Sequence, residues 1–170
     1  MFGLVGASLA TIVLVAVMLL TRQGGGTGLI EKGRPAPEIA GTTLDGTPFR
    51  LADLRGRPVI VNFWGPTCVP CRTEFPLLKS KLEAHASDGL TVVGVLMDDP
   101  PEPARKFFAD EGATWPTVDD PSGTIKQAYH VVARPQSYFI DRDGILRSIQ
   151  IGEVRDEDFE RQYGLIKGAG

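Results

Sequence analysis

Two short apolar runs set the limits on what this chain can fold into. Val59–Phe63 (VIVNF) and Thr91–Met97 (TVVGVLM) are β-branched and almost continuously apolar. A strand with that pattern is buried on both faces, so it belongs in a sheet that is covered on both sides. Between the two runs, Phe75, Leu78 and Leu82 recur at helical spacing, which predicts a helix from Cys68 to Ala84. Pro76 lies inside that helix and is expected to kink it. Strand, helix, strand in this order is a crossover unit, and it implies parallel pairing.

The remaining pattern fits around that unit. Asp45-Gly46 separates Ile39–Thr42 from Phe49–Leu51 and predicts a hairpin or tight turn. Pro103–Glu111 reads as a helix, with Ala104, Phe107 and Phe108 on one stripe and Gly112 as its cap. Ile125, Ala128 and Tyr129 mark a short helix. Ser137–Asp141 and Ile145–Ile151 are two strands joined through the turn Arg142-Asp143-Gly144. Phe159, Tyr163 and Ile166 mark a last amphipathic helix. The predicted fold class is α/β, with parallel strands first and an antiparallel pair last.

With 170 residues, 42% of them apolar, the chain is sized for one domain with a proper core. Its formal net charge of −3, with no block of basic residues, gives no reason to expect a nucleic-acid partner. The exception to this ordinary composition is the start. Phe2–Leu20 is 19 residues without a charge. As a helix it is about 28 Å long, close to the bilayer hydrocarbon thickness. No basic residue precedes it, and Met18-Leu19-Leu20 offers no small-x-small cleavage site. Residues 1–21 are therefore expected to be a transmembrane anchor in contact with lipid, a cleaved signal sequence being the alternative. Residues 22–33, with Gln23–Gly28 (QGGGTG), read as a flexible linker, and residues 34–168 as the globular domain. Arg22, taken alone, favours a cytoplasmic side for the linker and the domain.

Both cysteines of the chain, Cys68 and Cys71, lie two residues apart in FWGPTCVPCRTEFP. A zinc site needs three or four ligands, and His85 and His130 are the only histidines, neither at finger or ribbon spacing. As a staple, a Cys68–Cys71 disulfide closes too small a loop to restrict the unfolded chain much. A redox pair fits the placement. Cys68 falls after a buried strand and at a helix start, where free N–H groups and the helix dipole favour thiolate over thiol. Cys71 sits one turn deeper, in place to resolve a mixed disulfide. Glu74 is three residues beyond Cys71 and shares its helix face, so it is a candidate to take and return the Cys71 proton; a solvated helix glutamate is the alternative.

Trp64 to Pro76 (WGPTCVPCRTEFP), preceded by Val61-Asn62-Phe63, resembles the active-site segment of the TlpA/ResA-like branch of the thioredoxin superfamily. Trp115–Asp120 (WPTVDD), Arg134–Gly144 (RPQSYFIDRDG) and Gly152 resemble later landmarks of that branch, in order, so the likeness spans Arg34–Val154. It implies a thioredoxin-like fold: a central mixed sheet flanked by helices, an N-terminal hairpin, one inserted helix from Pro103, and the N-terminal transmembrane helix. It implies a thiol–disulfide oxidoreductase that uses a Cys68–Cys71 dithiol/disulfide, with no cofactor and no metal. Its partners would be a protein disulfide or dithiol substrate and an upstream thiol electron donor, membrane-bound or soluble. The resemblance further implies a catalytic domain on the extracytoplasmic side, against the hint from Arg22, and a task in cytochrome c maturation. Pro135 matches the family's cis-proline facing the cysteines, an ordinary trans proline at a strand start being the alternative. Glu74 matches its acidic residue near the buried thiol. Trp64 matches an aromatic beside the site that would contact substrate, a plain core residue being the alternative. Thr67 and Arg134 depart from the family's usual residues at positions that line the substrate groove. Arg134 is open to three roles: attracting an acidic partner, holding a thiolate, or facing solvent. Two rivals remain. A thiol peroxidase of the same superfamily usually carries Pro-x-x-x-Thr-x-x-Cys, and here Val61 stands at the proline position. A non-catalytic binding or assembly protein would keep the fold with a dormant disulfide.

Overall fold

The computed structural model describes residues 30–168. The expected anchor at 1–21 and the linker up to residue 29 lie outside the described residues. Among the described residues no helix is long and apolar enough to cross a membrane. The last part of the expected linker already belongs to the fold. Ile30 packs against the core, and Gly33 N donates to Leu146 O at 2.7 Å.

Strands β1 (Ala40–Thr42) and β2 (Pro48–Arg50) form the small antiparallel hairpin expected around Asp45-Gly46. The main sheet is built from β3 (Val59–Trp64), β4 (Thr91–Leu96), β5 (Thr117–Asp119), β6 (Gln136–Ile140) and β7 (Leu146–Ile151). Its order is β5-β4-β3-β6-β7. β3 pairs with β4 in parallel and with β6 antiparallel, so Val59 faces Thr91 on one side and Ile140 on the other. The helices are α1 (Val69–Ala84), α2 (Pro101–Glu111), α3 (Thr124–Ala128) and α4 (Asp156–Tyr163). The mixed sheet, its parallel-then-antiparallel order and the inserted helix α2 agree with the expected class.

Three details differ from the sequence expectation. β5 has no counterpart in the sequence pattern: it is three residues long, lies between Pro116 and Pro121, and carries too little alternation to stand out. Its pairing with Gly94–Leu96 makes it an edge of the sheet. Helix α2 begins at Pro101 rather than Pro103, since a proline in the first turn forfeits no helical hydrogen bond. Helix α4 stops at Tyr163, and Ile166 is buried from the turn beyond it.

The central strand β3 is buried along its whole length and separates two apolar layers. Val59, Val61 and Phe63 point to one side, with Val93, Val95, Tyr129 and Tyr138. Ile60 and Trp64 point to the other, with Val92, Leu96, Phe139 and residues of α1, α2 and α4. Helix α1 turns Cys71, Glu74, Phe75 and Leu78 into this second layer, at the spacing of one helical face. It runs through Pro76, which faces solvent, where the carbonyl left without its N–H can bind water. At its end His85 packs its ring against Tyr163, with centroids 4.0 Å apart.

Phe75 joins the inserted helix to the rest. Its ring centroid lies 4.8 Å from Phe107, 5.3 Å from Phe108, 4.6 Å from Trp115 and 5.8 Å from Trp64. Truncating it empties the middle of that cluster. Phe75→Ala is expected to lower the unfolding free energy by about 3–5 kcal/mol, read from denaturant titration followed by far-UV circular dichroism.

Candidate active site

The site forms where β3 ends. Gly65, Pro66 and Thr67 carry the chain from Trp64 to Cys68, the N-cap residue of α1, and Pro70 occupies the first turn. Cys68 and Cys71 are joined as a disulfide with Cα atoms 5.3 Å apart. The Cys68 sulfur also accepts the Cys71 N–H at 3.2 Å, so it caps the helix. The same N–H is in place to stabilise a thiolate once the bond is reduced. Cys68 is 8% exposed and Cys71 1%, and Val69 between them is 73% exposed. Cys68 is thus the less buried of the two.

Glu74 lies one turn beyond Cys71 and is itself 1% exposed, which removes the solvated-glutamate alternative. Asn62 Nδ2 donates to its Oε1 at 2.8 Å, and the Val154 N–H donates to its Oε2 at 2.8 Å. Asn62 Nδ2 also donates to Ser137 Oγ at 2.9 Å. Loss of hydration pushes the Glu74 carboxyl up from the ordinary 4.5 to about 7, against the pull of its bonds to Val154 and Asn62. A carboxyl in that range both accepts and returns a proton near neutral pH.

The other singled-out residues fall around the disulfide. The Arg134–Pro135 bond is cis, and Pro135 is buried ahead of β6. Thr67 is exposed beside Cys68. Arg134 does not face open solvent: its Nη1 meets Asp99 Oδ2 at 2.7 Å, and its Nη2 donates to Thr67 Oγ1 at 3.2 Å. With that partner it is no free cation for an acidic substrate. For Trp64 the structure takes the core alternative over the substrate-side one. This residue is 1% exposed and sits in the core with Cys68, Cys71, Phe75 and Phe107, so it supports the site from below and lines no substrate groove.

Asn62, Ser137, Val154 and Asp99 join the site without having been singled out by the sequence. Asn62 did carry a signal, being the one polar residue in an otherwise apolar strand. Val154 acts through its backbone N–H, which a side-chain pattern cannot mark.

A disulfide between cysteines two residues apart at a helix start, backed by a buried carboxyl, is the site of a thiol–disulfide oxidoreductase, an enzyme that exchanges disulfides with thiol pairs. Comparison with known proteins agrees. The profile of the AhpC/TSA family matches residues 32–149. The thiol-disulfide oxidoreductase ResA of Geobacillus kaustophilus is 34% identical over 138 residues, covering 81% of this chain and 79% of that protein. The thioredoxin-like protein YneN of Bacillus subtilis is 33% identical over 139 residues, covering 80% of this chain and 81% of its own. The crystal structure described as a thiol:disulfide interchange protein DsbE from Chlorobium tepidum superposes with a TM-score of 0.76 at 31% identity, over 83% of this chain and 100% of that one. The chain belongs to the AhpC/TSA family and to the ResA-like branch of the thioredoxin superfamily.

The raised Glu74 carboxyl makes stability depend on pH. The folded state binds this proton more tightly than the unfolded chain, so its contribution is complete below about pH 4.5 and is lost as pH rises through about 7. Oxidised protein is expected to lose roughly 3 kcal/mol across that window, and Glu74→Gln to flatten the loss, as measured by urea unfolding at a series of pH values.

Proposed function

We propose that this enzyme reduces protein disulfides outside the cytoplasm, from a catalytic domain held at the membrane by residues 1–21 through the linker that follows them. The Cys68 thiolate attacks a substrate disulfide. A Cys68–substrate bond forms, and one substrate sulfur leaves as thiolate. Glu74 takes the proton from Cys71, whose thiolate attacks the Cys68 sulfur. The Cys68–Cys71 disulfide closes and the second substrate sulfur leaves as thiolate, so two electrons pass from enzyme to substrate; the Cys71 proton rests on Glu74, and the substrate thiolates take their protons from solvent. A thiol donor, membrane-bound or soluble, then reduces the pair again. Cys71 acts at high effective concentration because it is already beside the target sulfur.

The observation that carries this reading is the buried Glu74 carboxyl on the helix face of Cys71, held by Asn62 and the Val154 N–H. A dormant scaffold has no need to keep an ionisable group in that place, where burial works against folding. The membrane anchor is supported by the charge-free run Phe2–Leu20, and the extracytoplasmic side by the likeness to the ResA-like branch, against the hint from Arg22. Apocytochrome c, as a secreted chain with a cysteine pair, is the proposed substrate. Pro135, Thr67 and the loop around them form the groove that receives it.

Cys71→Ser stops the reaction after the first attack. Expressed in its native host, this variant is expected to accumulate reducible adducts on Cys68, seen on non-reducing gels and identified by mass spectrometry, while Cys68→Ser yields none. Trapped cysteine proteins from outside the cytoplasm support the reading and name the substrate. If neither variant traps a partner and the wild-type enzyme leaves insulin disulfides intact, the reductase reading is wrong. If the wild-type enzyme consumes hydrogen peroxide with a thiol donor and leaves protein disulfides untouched, the peroxidase reading replaces it.

A further inference from the structure

Asp99 lies beyond β4 at the same end of the sheet as the disulfide and takes no part in the exchange steps. Its side chain is 7% exposed and pairs with Arg134, Oδ2 to Nη1, at 2.7 Å. Thr67 Oγ1 donates to the same carboxylate, 2.8 Å from Oδ1 and 2.9 Å from Oδ2, and the Thr67 N–H approaches Oδ2 at 3.4 Å. Arg134 Nη1 also donates to Met97 O at 2.9 Å. Gly65 leaves room for the pair: a Cβ there would stand 2.1 Å from Asp99 Oδ2 and 2.5 Å from Arg134 Nη1. One carboxylate therefore ties the residue before Cys68 to the residue before Pro135, across the proposed groove.

We propose that Asp99 is a positioning residue of the exchange reaction, which holds the Arg134 guanidinium against Thr67 and cancels its charge beside Cys68. The proposal rests on the exchange reading for the role of Cys68 as the attacking sulfur. An unpaired guanidinium beside Cys68 would favour the thiolate, and an unpaired carboxylate there would oppose it. A couple whose reduced form is stabilised in this way becomes an oxidant. Bound to Asp99, Arg134 shapes the groove without drawing the couple in that direction, and the pair stays a reductant.

Other charged groups lie on the neighbouring elements: Arg72 and Glu74 on α1, Asp98 after β4, bound to Lys126 at 2.6 Å, and Glu153 before α4, near Glu74. They are common to every variant below and drop out of the comparison.

The test uses the full chain, reduced with dithiothreitol, as wild type, Asp99→Asn, Arg134→Gln and the double variant. The readout is the rate of Cys68 alkylation against pH, followed by peptide mass spectrometry. Asp99→Asn is expected to move the Cys68 profile about one pH unit down, and Arg134→Gln about one unit up, as a unit charge several Å away does in a medium between water and protein interior. The double variant returns close to wild type, and Arg134→Lys, which keeps the charge, stays there too. Opposite signs are the signature, because a merely structural loosening moves both single variants the same way. Shifts of one sign, or no shift in either, overturn the proposal. Circular dichroism checks folding of each variant; if Asp99→Asn does not fold, Arg134→Gln and Arg134→Lys still decide, by an upward shift in the first and none in the second. Insulin reduction by the wild-type enzyme is followed in parallel. Its failure sinks the exchange reading, while the thiol profiles still judge the role of Asp99.

Discussion

Strand β3 is hydrogen-bonded along both edges, in parallel to β4 and antiparallel to β6, and it is buried on both faces. Its end cannot shift without moving both neighbours. That end is also where the chemistry is. Because β4 runs parallel to β3, the loop that leaves β4 and carries Asp99 emerges beside the loop that leads to Cys68. Because β6 runs antiparallel, its beginning, with Pro135 just ahead of it, arrives at the same place. Three loops distant in sequence thus meet at one end of one sheet, as happens at the carboxyl ends of strands in open α/β folds.

Within that frame the buried carboxyl of Glu74 is the costly element. An ionised carboxylate taken out of water is unfavourable unless hydrogen bonds replace its hydration. Here two are supplied, one from Asn62 in the central strand and one from the Val154 N–H ahead of α4. They hold the group without fully offsetting its burial, so its carboxyl rises to about 7 and stays poised between its two forms. A fully compensated carboxylate would be a fixed anion, and an uncompensated one a permanent acid. The partial balance leaves Glu74 able to take up and release a proton near neutral pH, as the proposed exchange requires, at some expense of stability there.

Much of this was legible in the chain. The apolar runs Val59–Phe63 and Thr91–Met97 announced buried parallel strands, and Phe75, Leu78 and Leu82 announced the helix between them. The cysteine pair at a strand-to-helix joint pointed to redox chemistry, and the landmark around Arg134-Pro135 pointed to the loop that faces it. What escaped has a common cause. β5 has three residues, too few for a period to register. Trp64 was placed beside the site by the resemblance, with the core as the alternative; a likeness does not tell which face of β3 the ring occupies, and alternation along the strand sends it into the core with Ile60. Asp99 is one of two adjacent aspartates after a strand, and only the fold shows which of them meets Arg134.

The sequence by itself determined the strand–helix–strand unit, the position of the reactive pair at a helix start, and the helical face that Cys71 shares with Glu74. These depend on contacts between residues a few positions apart, where the 3.6-residue and two-residue periods of the backbone govern who faces whom. Only the tertiary structure decided what surrounds those residues. Asn62 and Val154 stand 12 and 80 residues from Glu74 along the chain, and Arg134 stands 35 residues from Asp99. Whether Glu74 is hydrated or buried, and whether Arg134 is free or paired, is set by which distant segments the sheet brings to its end. No local period carries that information, because the energy of a charge depends on its whole surroundings and not on its neighbours in sequence.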